Sequence, residues 1–276
     1  MPNPITRSGS HPVLVATIFA ATVLLVANPS PGDEAAEQLV MATYKLANES
    51  STASGTAVRF VTGEDQSQIA IVTAHHVLRD MKGDFCVLVA RIARDDGMYA
   101  RKELRVPIRD GGRNLWLKHA QHDLAALPIP KDLDIVALPA DCLIKPNRVS
   151  KVHSGDAVHL GVFPERAEAN DAGFPILRAG SIASFPMVPV QPHSLFLVDT
   201  TTWTGDSGGP VIHGTLHSPD GGPLIIGIVR GMRSVTDTTR ESRFVERKMH
   251  YPLGLSEVLQ AALIWDFIPG EWQAKE

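Results

Sequence analysis

From Leu39 onward the chain is broken into short apolar runs, each closed by Gly, Pro, Asn or Asp. They are Thr56 to Val61, Ile69 to Thr73, Phe85 to Ile92, Leu104 to Ile108, Leu124 to Ile129 and Ala157 to Phe163, then Ser194 to Asp199, Pro210 to Ile212 and Leu224 to Val229. Runs of about four to eight residues, rich in Val and Ile, match strands and are too short for the helices of βαβ units. An all-β barrel or sandwich is therefore predicted. The 22 Gly and 20 Pro residues supply its turns, and 44% hydrophobic residues in 276 leave enough apolar surface for one large domain or two small ones. No internal repeat of fixed period is visible.

The uncharged stretch from Pro12 to Ala27 follows a short region holding Arg7 and precedes NPSPGDE. It is shorter than the about 20 residues of a membrane-spanning helix, and its layout fits a secretory signal cleaved after Ala27. An uncleaved signal-anchor, tethering the protein to a membrane through residues 12–27, and a buried core helix are the alternatives. The first two place the rest of the chain outside the cytoplasm. Residues 28–37 are polar and read as a linker. With 26 Lys+Arg against 30 Asp+Glu, a net charge of −4, and no basic stretch with interleaved aromatics, nucleic acid is not an expected partner. Cys86 and Cys142 are too few for a disulfide framework and lack metal spacing, so they read as two separate buried thiols, with a single bridge between them as the alternative.

The sharpest local signal is TGDSGGP, Thr204 to Pro210. A serine flanked by glycines on a tight turn presents its hydroxyl unhindered, and the glycines let main-chain N–H groups, here those of Gly205 and Ser207, converge on a developing oxyanion. A serine needs a base to take its proton and a carboxylate to orient that base. Upstream, an apolar run leads into Thr73-Ala74-His75-His76-Val77, and Asp123 opens the run Leu124-Ala125-Ala126-Leu127. The order is His, Asp, Ser.

These residues resemble the chymotrypsin/trypsin-like serine peptidases, most nearly the bacterial extracytoplasmic branch. The matching pieces are Gly55-Thr56-Ala57, VTAHHV (Val72 to Val77), DLAAL (Asp123 to Leu127), GDAVHLGVFP (Gly155 to Pro164), GDSGGP and GIV (Gly227 to Val229). The resemblance implies two six-stranded antiparallel β-barrels within residues 38–270, one over about 38–142 and one over about 150–253, with the triad in the cleft between them. It assigns His76 rather than His75 as base, Asp123 rather than Asp134 as orienting carboxylate, Ser207 as nucleophile, and Gly205 with Ser207 as oxyanion donors. No cofactor or metal is implied, and polypeptides are the substrates.

Several departures from the family pattern matter. No IVGG-like start lies between Ala27 and Gly55, so Asp206 is not expected to receive a freed amino terminus and should pair locally. The base of the specificity pocket falls on Thr201, where no carboxylate could neutralise a buried Lys or Arg. Thr201, Thr202, Val229 and Met232 would then line a modest apolar pocket, although a threonine there is also similar to the glutamyl endopeptidases. Arg230 stands where a small polar residue is usual, and would pair with Asp123, pair with an acidic substrate group or point to solvent. The segment after Val229 would be the edge strand to which an extended peptide adds, antiparallel. A catalytically weak or inactive peptide-binding protein is the competing expectation. The His119/His122 and His213/His217 pairs lack the helical setting of a metal site. Ser256 reads as the cap of a carboxy-terminal helix over about 256–268, with Leu255, Leu259, Ala262 and Leu263 on one face. Few residues follow it, so no appended PDZ module, and no control through one, is expected.

Overall fold

The computed structural model describes residues 31–49, 51–63, 66–241 and 246–272. The stretch 12–27 with its expected signal lies outside them. Among the described residues no helix is long and apolar enough to cross a membrane.

The chain is mostly β. Its first half holds β1 (Thr43–Ala47), β2 (Thr52–Gly63), β3 (Gln66–Ala74), β4 (Phe85–Ala93), β5 (Tyr99–Pro107) and β6 (Leu124–Pro128). The second half holds β7 (Ala157–Val162), β8 (Ile176–Ile182), β9 (Leu195–Asp199), β10 (Pro210–His217), β11 (Pro223–Arg240) and β12 (Glu246–Gln260). The second six close into the expected barrel in the order β7-β8-β9-β12-β11-β10. The first six take the same order, β1-β2-β3-β6 on one side and β1-β4-β5 on the other, but β5 and β6 are not paired. The first sheet thus has an open seam, with Leu117–Lys118 added beside β6 and Leu138–Pro139 added in parallel to β2.

Burial explains why several strands read as unbroken apolar runs. On β2, β3 and β6, Ala57, Ile71, Ala125 and Leu127 face the first core with Leu46, Leu88 and Val106. Their neighbours Val58, Phe60, Ala70, Val72, Leu124 and Ala126 point the other way, into the core of the second half. A sheet covered on both faces has no polar face to alternate with. Cys86 joins the first core and Cys142 the second, as two free buried thiols.

Two elements differ from expectation. The linker read over 28–37 is helical from Pro31, within α1 (Pro31–Ala42). Its polar residues hid an apolar stripe of Ala35, Leu39 and Ala42, all buried, which packs α1 against strands of both halves. The carboxy-terminal helix is shorter than expected, a single 3-10 segment over Ala261–Asp266. Ser256 caps nothing. It lies inside β12, buried, and its Oγ donates to the Thr200 carbonyl at 2.7 Å. The leucine spacing fitted both periods, and pairing of β12 with β9 and β11 decided for a strand. Trp265 then packs edge-on against Phe60 and Trp272 packs tilted against it, with ring centroids 6.4 and 5.8 Å away, fastening this segment to the first half.

Candidate active site

His76 and Asp123, the expected base and carboxylate, are brought together by strand register. β3 pairs with β6 so that Ala74 lies opposite Leu124. The next residues of β3 turn into the short helix α2 (His75–Asp80), which buried Val77 and Leu78 hold down. This sets His76 directly beside Asp123. The His76 main-chain N–H donates to Asp123 Oδ1 at 2.8 Å, and Nδ1 meets Oδ2 at 2.6 Å. Burial pushes the Asp123 carboxyl up, but the hydrogen bonds from the His76 ring and main chain, with the nearby charges of His76 and Arg230, outweigh it and hold it below its ordinary value. It therefore stays ionised and favours the proton on Nδ1, which leaves Nε2 free to accept one. His75 is a partly buried neighbour whose ring lies 6.3 Å from that of Trp116. Asp134 is exposed and outside the site.

The nucleophile turn is built by glycines and held from the other half. Gly205 and Gly208 have φ of +99° and +86°. A Cβ on Gly208 would overlap Thr73 Oγ1 and the Ser54 carbonyl oxygen, and one on Gly205 would overlap the Phe163 carbonyl. Ser54, wholly buried on β2, is the main tie between the halves. Its N–H donates to the Ser207 carbonyl at 2.9 Å and its Oγ to the Gly205 carbonyl at 2.8 Å, while Oγ accepts from the Phe163 N–H at 3.1 Å. Its own carbonyl accepts from Thr73 Oγ1 at 2.8 Å. Sequence reading missed Ser54. No local signal marks it, since β2 also carries Thr52, Thr56 and Thr62.

Among the described residues, the Gly205 and Ser207 N–H groups donate to no protein acceptor, which leaves both available to an oxyanion. Ser207 Oγ donates to the Arg230 carbonyl at 3.0 Å, and no hydrogen bond joins it to His76. Both side chains nevertheless line one cleft of about 310 Å³, with Ala53, Trp203 and Met232 among its walls. A more polar cavity of about 570 Å³ adjoins His76 and Asp123 and is rimmed by Lys118, His122, Arg230 and Glu257.

The expected specificity pocket is only partly assembled. Met232 lines the cleft, and so does Trp203, but Thr201, Thr202 and Val229 do not. Val229 is wholly buried, because its carbonyl and N–H bind Gly208 and Gly209 at 2.7 and 2.8 Å and its side chain turns into the core. Thr202 is buried with its hydroxyl on the Gly231 carbonyl at 3.2 Å. The Thr201 carbonyl is taken by Arg178. Arg230 sits as the sequence suggested, with Nε 3.9 Å from Asp123 Oδ2, and Glu257 holds it through Nη1 at 3.2 Å. The paired histidines are locally engaged: His119 Nδ1 accepts from the Gln121 and His122 N–H groups, and His213 binds Asp156 at 2.9 Å. No cluster of three metal-ligating side chains occurs among the described residues.

Asp206 is fully buried and pairs locally. Oδ2 accepts from the Trp203 N–H at 2.8 Å and lies 4.0 Å from Arg178 Nη1, while Oδ1 has no partner. Burial pushes its carboxyl up to about 6, with the Trp203 bond and the Arg178 charge pulling back. Carrying a carboxyl from the ordinary 3.8 to about 6 corresponds to about 3 kcal/mol. The folded protein holds this proton more tightly than the unfolded chain, so the penalty is absent below about pH 4 and complete above about pH 6. Asp206→Asn is expected to stabilise the protein by about 1–3 kcal/mol at neutral pH and by nothing at about pH 4. Urea midpoints across that range check it, and an unchanged midpoint at neutral pH would mean that Arg178 already neutralises the carboxylate.

Residues 55–216 match the family described as a trypsin-like peptidase domain, a span that includes His76, Asp123 and Ser207. No curated protein matches the chain by sequence. Among solved structures, a mutant of human heparin binding protein is similar at 14% identity and a TM-score of 0.50, over 83% of this chain and 90% of that one. A human pathogenic astrovirus serine protease is similar at 14% identity and a TM-score of 0.41, over 90% and 96% of the two chains. The inactive form of Rv3671c from M. tuberculosis has 15% identity and a TM-score of 0.47, over 87% and 93%.

Proposed function

The chain belongs to the trypsin-like peptidase family, and we propose that it is a serine endopeptidase acting outside the cytoplasm through Ser207, His76 and Asp123. The observation that carries this reading is the double hydrogen bond of Asp123 to His76 at the edge of the cleft that Ser207 also lines. An extended substrate offers its main chain to the Arg230 carbonyl, which now holds the Ser207 hydroxyl. Once displaced, that hydroxyl rotates to His76. His76 Nε2 takes its proton as Oγ attacks the scissile carbonyl, and the N–H groups of Gly205 and Ser207 receive the oxyanion. The tetrahedral intermediate collapses to an acyl-enzyme as His76 protonates the leaving amine. Water, deprotonated by His76, then releases the acid and restores Ser207. These steps need no cofactor. The uncharged stretch at 12–27 supports the extracytoplasmic setting, as a signal or as a membrane tether.

A second reading, a peptide-binding protein with little or no turnover, is favoured by the contact of Ser207 with Arg230 and by the guanidinium beside Asp123. A fluorophosphonate probe separates the two. The endopeptidase should be labelled on Ser207 within minutes, and His76→Ala should abolish labelling. A folded protein that stays unlabelled is the binder.

A further inference from the structure

Among the described residues, Glu165 and Arg166 are the two other than glycine with positive φ, at +48° and +68°. They belong to the turn Pro164–Arg166 that follows β7. Long side chains disfavour the left-handed region, so such a turn persists only where its surroundings over-determine it. The Glu165 N–H donates to the Thr204 carbonyl at 2.7 Å, which ties the strained turn to the nucleophile turn. In a planar trans peptide the C=O and N–H point opposite ways. The bond to the Thr204 carbonyl therefore also sets the direction of the Gly205 N–H. What holds the strained turn comes from the first half. Lys45 on β1 lies directly opposite Ser54 on β2, so the two side chains share one face of the sheet. Ser54 accepts the Phe163 N–H just before the turn, and Lys45 Nζ donates to the Arg166 carbonyl at its end, at 2.9 Å. Lys45 is only 8% exposed. Its other contact is Glu168 Oε1 at 2.7 Å, and Glu168 is held in turn by Arg101 on β5. Burial pushes the Glu168 carboxyl up, but the bonds from Arg101 and Lys45 outweigh it and keep it below its ordinary value. The carboxylate thus pins the ammonium beside the turn. A buried ion pair adds little to stability that an apolar residue would not. The lysine is better explained by the carbonyl it fixes.

We propose that Lys45 is a positioning residue for the oxyanion site, holding the Glu165–Arg166 turn in its left-handed form and, through that turn, the Gly205 N–H. It touches no reacting atom. Its influence passes through the Arg166 carbonyl to the Glu165 N–H, and from there through the Thr204–Gly205 peptide. This rests on the role given to Gly205 above.

The test is Lys45→Met, which keeps most of the apolar stem and leaves Arg101 to neutralise Glu168. Amide exchange followed by NMR should show the Glu165 N–H exchanging at least about tenfold faster, with the N–H groups of Ser54 and His76 unchanged. On a cleaved peptide kcat should fall about ten- to a hundredfold, less than the about 10²–10³ for outright loss of an oxyanion donor, with KM within about twofold. Adding Glu165→Gly and Arg166→Gly to the Lys45→Met protein should recover most of both losses, because glycine adopts the left-handed turn without an anchor. Unchanged Glu165 exchange, an equal rise at Ser54 and His76, or a triple variant no better than Lys45→Met overturns the proposal. So does a Lys45→Met chain that fails to fold and that the glycines do not restore. Exchange needs no turnover, and fluorophosphonate labelling of the unmutated protein reads the nucleophile separately. An unlabelled parent whose Glu165 N–H still answers to Lys45 therefore fails the enzyme reading alone.

Discussion

Asp123→Asn should lower kcat by about four orders of magnitude while leaving the protein folded. An asparagine can still accept the His76 main-chain N–H through its carbonyl oxygen, the bond now made to Oδ1 at 2.8 Å. Its NH2 group then faces Nδ1, where Oδ2 now stands at 2.6 Å. Nδ1 must turn acceptor, the ring proton moves to Nε2, and the nitrogen facing the cleft can no longer take a proton from Ser207. The variant also loses the negative charge that stabilises the imidazolium. Steady-state kinetics on any cleaved peptide, with an unchanged urea midpoint as the control, measures the effect. A kcat within tenfold of the parent would remove Asp123 from the mechanism and make Arg230 and Glu257 the groups to examine.

Gly208→Ala has the largest expected effect on stability. The left-handed φ of +86° costs a non-glycine residue about 1–3 kcal/mol, and overlap with Thr73 and the Ser54 carbonyl adds about 1–3 kcal/mol more. Gly155 provides the matched comparison. Its φ is +88° but a Cβ there meets nothing within 4 Å, so Gly155→Ala should lose only the backbone contribution. Chemical denaturation of the two variants separates strain from crowding. Equal losses would mean that Thr73 and Ser54 yield easily and that the tie between the halves is loose. The Gly208 variant should in addition lose fluorophosphonate labelling, because the displaced turn carries Ser207 with it.

Much of the candidate site's layout was legible because it depends on local sequence. Gly205 and Gly208 are dictated by φ and by close neighbours, and His76 and Asp123 each sit at the end of an apolar run that reads as a strand. What was not legible depends on contacts between distant segments. Ser54 looks like any small strand residue until the second half folds against it. Thr201, Thr202 and Val229 were assigned to a pocket by position alone, and the hydrogen bonds that turn Thr202 and Val229 inward come from residues on other segments. α1 was obscured because its polar first part, 31–37, holds only Ala35 of the buried stripe, while Leu39 and Ala42 lie beyond it. At Ser256 the spacing of leucines satisfied helix and strand alike, and only pairing with β9 and β11 resolved it.

On the proposed function, the tie through Ser54 also bears on when activity could arise during synthesis. The bond from Ser54 to Gly205 spans 151 positions in the chain, and contacts of such separation form late because loop closure precedes any reward. A nascent or partly unfolded copy can therefore hold His76 beside Asp123 yet lack a shaped turn for Ser207. If Ser207 is the nucleophile proposed above, such a copy would be chemically silent, and neighbouring chains still in the unfolded state would be spared at the stage when they are easiest to cut.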